Sequence, residues 1–168
     1  MKDHHPIKRG QALVSFSRDH HFGLLLVWKI RRGLANAVNH ERISDYIVFF
    51  FKEDLEKHFK EEEELLFAEL DKEDLLRLKA EKDHYDLQKI HLLLKIQDDT
   101  EAFSEFAAKL DQHIRFEERI LFARLQNTLG EKKLNAILQK MEELHHAPLE
   151  DNWNDMFWIN TAITRKAK

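Results

Sequence analysis

HFKEEEELLFAEL (58–70) and HIRFEERILFARL (113–125) are near-repeats of one another, and their reading decides the fold. They share a His, a Glu four residues on, the Glu after it, and an L-F-A-x-L ending. In a helix, positions i and i+4 lie on one face, one turn apart. His58 therefore stands with Glu62, and His113 with Glu117. The bare H-x3-E spacing is a weak signal. In a chain with 11 His and 31 acidic residues, roughly one such pair arises by chance, and His146 with Glu150 is read as that accident. Helical phase carries more weight. At about 100° per residue, His58 and Glu62 fall in the apolar stripe of Ile47, Phe51, Leu55 and Leu65, and His113 and Glu117 in that of Phe106, Leu110 and Ile120. A carboxylate on a core face is costly unless it is paired or binds metal. Two of them, each one turn from an imidazole, point to metal.

Working outward, the chain divides into helices. Only 4 Gly and 2 Pro interrupt 168 residues, and 43% of them are hydrophobic, which argues for an all-α fold with one sizeable core. Residues 1 to 14 read as an extended arm with Pro6 and Gly10. The first helix is expected over about Ser15–Val38, on Phe16, Leu24, Val27 and Leu34, and the second over Ser44–Leu70, with Ser44 as N-cap. The third follows over Leu75–Ile96, and the fourth over Glu101–Asn127. Gly130 marks a stop, and a short fifth helix, Lys132–His145, precedes a tail with Pro148, Trp153, Phe157 and Trp158. Four long amphipathic helices with short loops predict an up-down-up-down four-helix bundle. Residues 1–168 form one domain in this reading, with the bundle core over 12–127 and the C-terminal helix and tail over 128–168. The apolar run Ile47–Phe51 exceeds one core face and is expected to lie under the fifth helix or to form a homodimer surface.

The other helices supply partners for the repeats. His20 sits in the stripe of Phe16, Leu24 and Val27, whereas His21 points about 100° away. Gly23 leaves room beside His20 for a ligand or a neighbouring helix. In the third helix His84 shares a face with Ala80, Leu87 and His91. His91 lies two turns on, roughly 10 Å along the axis, and is read as an outer or core histidine. His40 is assigned to a loop. His4 and His5 belong to the arm, from which they could fold over the open end, and His145 and His146 face solvent. Of the run Glu61–Glu64, only Glu62 is phased inward, and the rest reads as a solvated face. The candidate metal ligands are thus His20, His58, Glu62, His84, His113 and Glu117. Imidazole with carboxylate suits iron, manganese or zinc. Two carboxylates able to bridge suggest a dinuclear centre, with His20 and His58 on one ion and His84 and His113 on the other. Each ion, whichever of these metals it is, would keep about one open position for O2, NO or peroxide.

At these residues the chain resembles the hemerythrin-like family, also called the HHE cation-binding domain. The family pattern is a His on the first helix, H-x3-E on the second, a His on the third and H-x3-E on the fourth. SRDHHFGLLL (17–26) and HFKEEEELLF (58–67) look like this family as well. The resemblance implies a bundle over about 12–127 whose cofactor is two iron ions, oxo- or hydroxo-bridged, on the six ligands above, with manganese or zinc as the alternatives. Oxygen-carrying members have a second His four residues after the third-helix His, and here that position is Gln88. This looks more like the bacterial six-ligand variants and argues against simple reversible O2 carriage. Glu81, about 60° from His84 on the helical wheel, could stand in for the lost ligand, but it reads better as an exposed residue. Relatives that repair iron–sulfur centres carry a cysteine-bearing extension, whereas this chain has no Cys.

Composition narrows the function further. A net charge of −4 offers no basic surface for nucleic acid. The stretch Phe22–Ile30 is too short and too charged at its edges to span a membrane. A polar start without a signal peptide, and the lack of cysteine, lead us to expect a cytoplasmic protein. Three functions are consistent with these residues. The first is a non-haem di-iron protein that binds O2, NO or peroxide for sensing, storage or stress protection. The second is a di-iron redox enzyme, peroxidase- or catalase-like, NO-handling or repairing iron centres, for which the sequence offers no clear general acid besides outer candidates such as Tyr85 and His91. The third is a structural or partner-binding bundle.

Overall fold

The computed structural model describes residues 9–144 and 151–159. His4, His5, Pro6, His145, His146, Pro148 and Glu150 lie outside the described residues, and so do the expectations placed on them. Every regular element among the described residues is helical. Helix α1 spans Gln11–Ala35. Helix α2 covers residues 40–69 as a series: α-helix His40–Phe50, a π turn Phe51–Leu55, α-helix Glu56–Glu61, a second π turn Glu62–Leu66 and a closing 3-10 turn Phe67–Glu69. Helix α3 is Leu75–Leu93. Helix α4 covers 100–129, with a π turn at Glu117–Leu121. Helix α5 covers 131–144.

Side-chain caps set three of the starts. Asn39 accepts from the Glu41 amide at 2.8 Å, Asp74 from Leu76 at 2.9 Å, and Asp99 from Glu101 at 3.0 Å; each such cap contributes about 1 kcal/mol. Asn39, not Ser44, therefore begins α2, and His40 is its first residue rather than part of a loop. The His40 imidazole reaches Asp98 at 2.5 Å and Thr100 at 3.1 Å. Ser44 is buried and donates to the Glu41 carbonyl at 2.9 Å. Helix α1 starts ahead of Ser15, at Gln11, where the Gly10 amide donates to the Gln126 side chain at 2.7 Å. It stops short of Val38, because Ala37 turns to φ 51°. Helix α3 ends before Ile96, which is 81% exposed.

Gly130 separates α4 from α5 with φ 70° and ψ 169°, a region open almost only to glycine. We expect Gly130→Ala to cost about 1–3 kcal/mol, read as a lower midpoint in urea unfolding. An unchanged midpoint would mean that this bend is not fixed by the backbone.

The π turns correct the sequence phase. A turn closed i to i+5 carries an extra residue and rotates the helix beyond it. Ile120, expected inside, is 50% exposed, and Leu121 is fully buried in its place. In the repeat, Leu65 is half-buried and Leu66 fills the core.

Two apolar clusters flank the polar centre. One is built on Leu26, Ile30, Tyr46, Phe50, Phe103 and Phe106, the other on Leu13, Phe16, Phe67, Leu121, Phe122 and Leu134. Helix α5 buries Leu134 and Ile137 in the second cluster, so it does not cover the Ile47–Phe51 run. The tail covers part of it instead. Trp153 lies 5.0 Å from Phe49 and 5.6 Å from Tyr46, and Phe157 lies 5.7 Å from Tyr46, ring centre to ring centre. A buried Lys29 ties this tail down. Its ammonium donates to Asp151 and to the Tyr46 hydroxyl at 2.6 Å, and stands 3.8 Å from the Trp158 ring. No helix among the described residues is long and apolar enough to cross a membrane.

Candidate metal centre

The six residues singled out in the sequence meet between the two clusters. His20 comes from α1, His58 and Glu62 from α2, His84 from α3, and His113 and Glu117 from α4. All are at most 5% exposed, and both glutamates are fully buried. The inward nitrogens and the carboxylates crowd one spot. His20 Nε2 lies 3.3 Å from Glu62 and 3.1 Å from Glu117. His58 Nε2 lies 3.2 Å from Glu62, His84 Nε2 3.3 Å from Glu62, and His113 Nε2 3.3 Å from Glu117. The Nε2 atoms of His84 and His113 are only 3.1 Å apart. Their donor atoms fall into two overlapping sets, each within 4.8 Å and each able to hold a metal ion. One set is His20, His58, Glu62 and Glu117. The other is Glu62, His84, His113 and Glu117.

Local structure explains the convergence. Both π turns that come after a His open at a Glu, Glu62 in α2 and Glu117 in α4, so the sequence repeat is also a backbone repeat. Such turns are frequent at functional sites. Gly23 lets α1 approach α4, since a Cβ there would stand 2.8 Å from Ile114 Cδ1. Of the two uses expected for Gly23, the close approach of a neighbouring helix is met at Ile114. Phenylalanines hold the imidazoles flat. Phe122 stacks on His20 at 5.3 Å, its repeat counterpart Phe67 on His84 at 5.4 Å, and Phe59 also on His84 at 3.9 Å.

The family model for the hemerythrin HHE cation binding domain matches residues 14–125. The chain belongs to that family. No curated protein and no solved structure matches it significantly.

In this hemerythrin HHE chain the donor set fits a metal on an observation of its own. Nε2 of His20 and of His58, and both oxygens of Glu62 and of Glu117, are buried without a hydrogen-bond partner. They face one another at 3.1–3.3 Å, but not in hydrogen-bonding geometry. Buried polar atoms are rarely left so. In the metal-free chain, charge must balance by protons. Burial disfavours a charged imidazole, yet Glu117, Glu118 and Glu62 outweigh it and hold His20 well above its ordinary pKa. Against the same burial, Glu62 and Asp19 push His58 up to about 10, and Glu62 and Glu63 push His84 up to about 9. Burial alone would raise Glu62, but His58, His20 and His84 hold it well below the usual carboxylate range. Protons on imidazole thus occupy the electrostatic place of cations.

Other sequence-based assignments fall outside this centre. His21 and Gln88 are exposed, and Glu81 pairs with Arg77 at 2.7 Å. Tyr85 is 54% exposed, and His91 stacks on Phe51 at 3.7 Å. Neither belongs to a donor set of the centre. The residues that sequence reasoning missed lie just outside it. The Nδ1 atoms of His20 and His84 reach Glu118 at 2.7 Å and Glu63 at 2.8 Å, and those of His58 and His113 face Asp19 at 3.5 Å and Asp83 at 3.6 Å. Glu63 is thus half-exposed and at the same time bonded to His84. A signal for two of them was present, because Glu63 and Glu118 occupy the same place in the repeat.

Proposed function

We propose that this hemerythrin HHE protein is a non-haem di-iron protein that binds O2, NO or peroxide for sensing, storage or stress protection. His20 and His58 would hold one iron, His84 and His113 the other, and Glu62 and Glu117 would bridge them. The observation that carries the reading is the pair of overlapping donor sets with both buried carboxylates in common. Shared carboxylates favour two ions over one. Two nitrogens and two carboxylate oxygens per ion leave open positions on an octahedral metal, and iron bound there would supply reversible one-electron chemistry. In this reading the four long helices run up-down-up-down. The lack of cysteine fits the reducing interior of a cell. A homodimer belongs to the same proposal.

The chain's own residues would select the ligand. A narrow apolar crevice, too tight as it stands to hold a water molecule, touches His20, His58 and His113 and is walled by Gly23, Leu55, Phe59, Leu110 and Ile114. A diatomic or a peroxide would enter only as these side chains give way, and anything larger would be refused. Its walls exclude bulk water from the face of the histidines.

Elemental analysis of protein from iron-replete cells, followed by anaerobic NO titration, tests this. We expect about two irons per chain and a spectral change that saturates with NO. Metal-free protein, or iron indifferent to NO, O2 and peroxide, would move the reading to a structural bundle. Repeated consumption of peroxide or NO by one loaded chain would move it to the redox enzyme.

A further inference from the structure

We infer that Glu63 and Glu118 are positioning residues, each fixing the metal-facing nitrogen of a histidine on the neighbouring helix, with Asp19 and Asp83 standing at the matching places beside the other two. The inference rests on the proposed metal centre and goes beyond its six ligands. All four histidines present Nε2 inward; Nδ1 of His20 and of His84 is hydrogen-bonded to a carboxylate at 2.7 and 2.8 Å, whereas Nδ1 of His58 and of His113 faces one at 3.5 and 3.6 Å without a hydrogen bond. A neutral imidazole has one N–H and one lone pair, and the partner of one nitrogen decides the state of the other. A carboxylate at Nδ1 takes the N–H, leaves the Nε2 lone pair for a metal, and makes that nitrogen a better donor.

The placement of the acids runs as a ring around the bundle. Glu63 of α2 bonds His84 of α3, and Glu118 of α4 bonds His20 of α1. Asp19 of α1 faces His58 of α2, and Asp83 of α3 faces His113 of α4, both beyond hydrogen-bond reach. No helix orients its own histidine, so the rings are aligned only when neighbouring helices are docked. The local rule is simple. Each acid sits next in sequence to an inward residue: Asp19 before His20, Asp83 before His84, Glu63 after Glu62 and Glu118 after Glu117. One step of about 100° carries it from the inner face to the seam with the next helix. Two of the acids are themselves anchored. Arg9 donates to the Glu118 carboxylate, and to its backbone carbonyl at 2.9 Å. Lys79 holds Asp83 at 2.5 Å, and Lys109 stands 3.7 Å from it.

The test uses the full chain loaded with Fe(II) and measures iron loss to excess chelator, alongside the hyperfine-shifted, exchangeable imidazole N–H signals in NMR. Glu63→Ala and Glu118→Ala should weaken iron binding about 10–100-fold. Each should also lose one N–H signal to solvent exchange, that of His84 or of His20. Glu118→Gln keeps an acceptor oxygen and should restore the signal. The Glu63 side chain is 42% exposed, so its removal leaves the apolar core intact. Iron retention and all N–H signals unchanged in both alanine variants, with wild type loaded, would overturn the inference alone. Wild-type protein that takes up no iron would overturn the centre and the ring together.

Discussion

Glu62→Ala is expected to empty both metal positions, whereas His58→Ala empties mainly one. Glu62 belongs to both donor sets, and His58 to only one. Metal content should fall from about two ions per chain to near zero in the first variant, and to about one in the second. The carboxylate matters without metal as well. It lies 3.2–3.3 Å from the Nε2 atoms of His20, His58 and His84, so its loss leaves buried imidazoles short of counter-charge. Breaking a buried pair from one side costs about 3–5 kcal/mol, and the imidazoles recover part of this by giving up protons. Metal analysis with urea unfolding of the metal-free forms reads both effects. A Glu62→Ala protein that keeps its full metal complement would exclude the bridging role.

Raising the pH should destabilise the metal-free protein and spare the loaded one. His58 and His84 titrate near 10 and 9 in the folded chain, against an ordinary value of 6.5. A group whose folded pKa is raised contributes fully below its unfolded pKa, and loses that contribution as pH climbs to the folded value. The contribution of these histidines is thus present below about 6.5 and gone by about 10. For His58 alone it is on the order of 3–5 kcal/mol. Glu62 has the opposite sign. Its folded pKa is depressed below 4.5, so its contribution is present above that value and is lost as pH falls through the folded one. Bound metal replaces the imidazole protons, which removes the alkaline loss and makes acid compete with the metal. Thermal unfolding of chelator-stripped and loaded protein should therefore show Tm values that diverge from pH 6.5 to 9. A metal-free Tm that is flat or rising over that range contradicts this assignment of charge.

The helical class and the convergence were legible because burial of a polar residue leaves a phase signature. His20, His58, Glu62, His84, His113 and Glu117 each sit in an apolar stripe, and each lies inside. What escaped the sequence depends on details finer than a uniform 100° step. The π turn at Glu117–Leu121 exchanges Ile120 for Leu121, and nothing in residue type announces it. Ser44 and Asn39 are both good caps, and only the geometry of the loop selects Asn39. Glu63 looked like one more acid in a charged run, because its partner lies on another helix. The tail over Tyr46 and Lys29 was not assignable either, since aromatic residues without periodicity do not name their receptor.

Anomalous diffraction at the iron edge from crystals of the loaded protein tests the central claim most directly. Two peaks are expected inside the bundle, one bounded by His20, His58, Glu62 and Glu117 and the other by Glu62, His84, His113 and Glu117. A single peak bridged by neither glutamate, or iron found only at the surface while these side chains pair with one another, would contradict it.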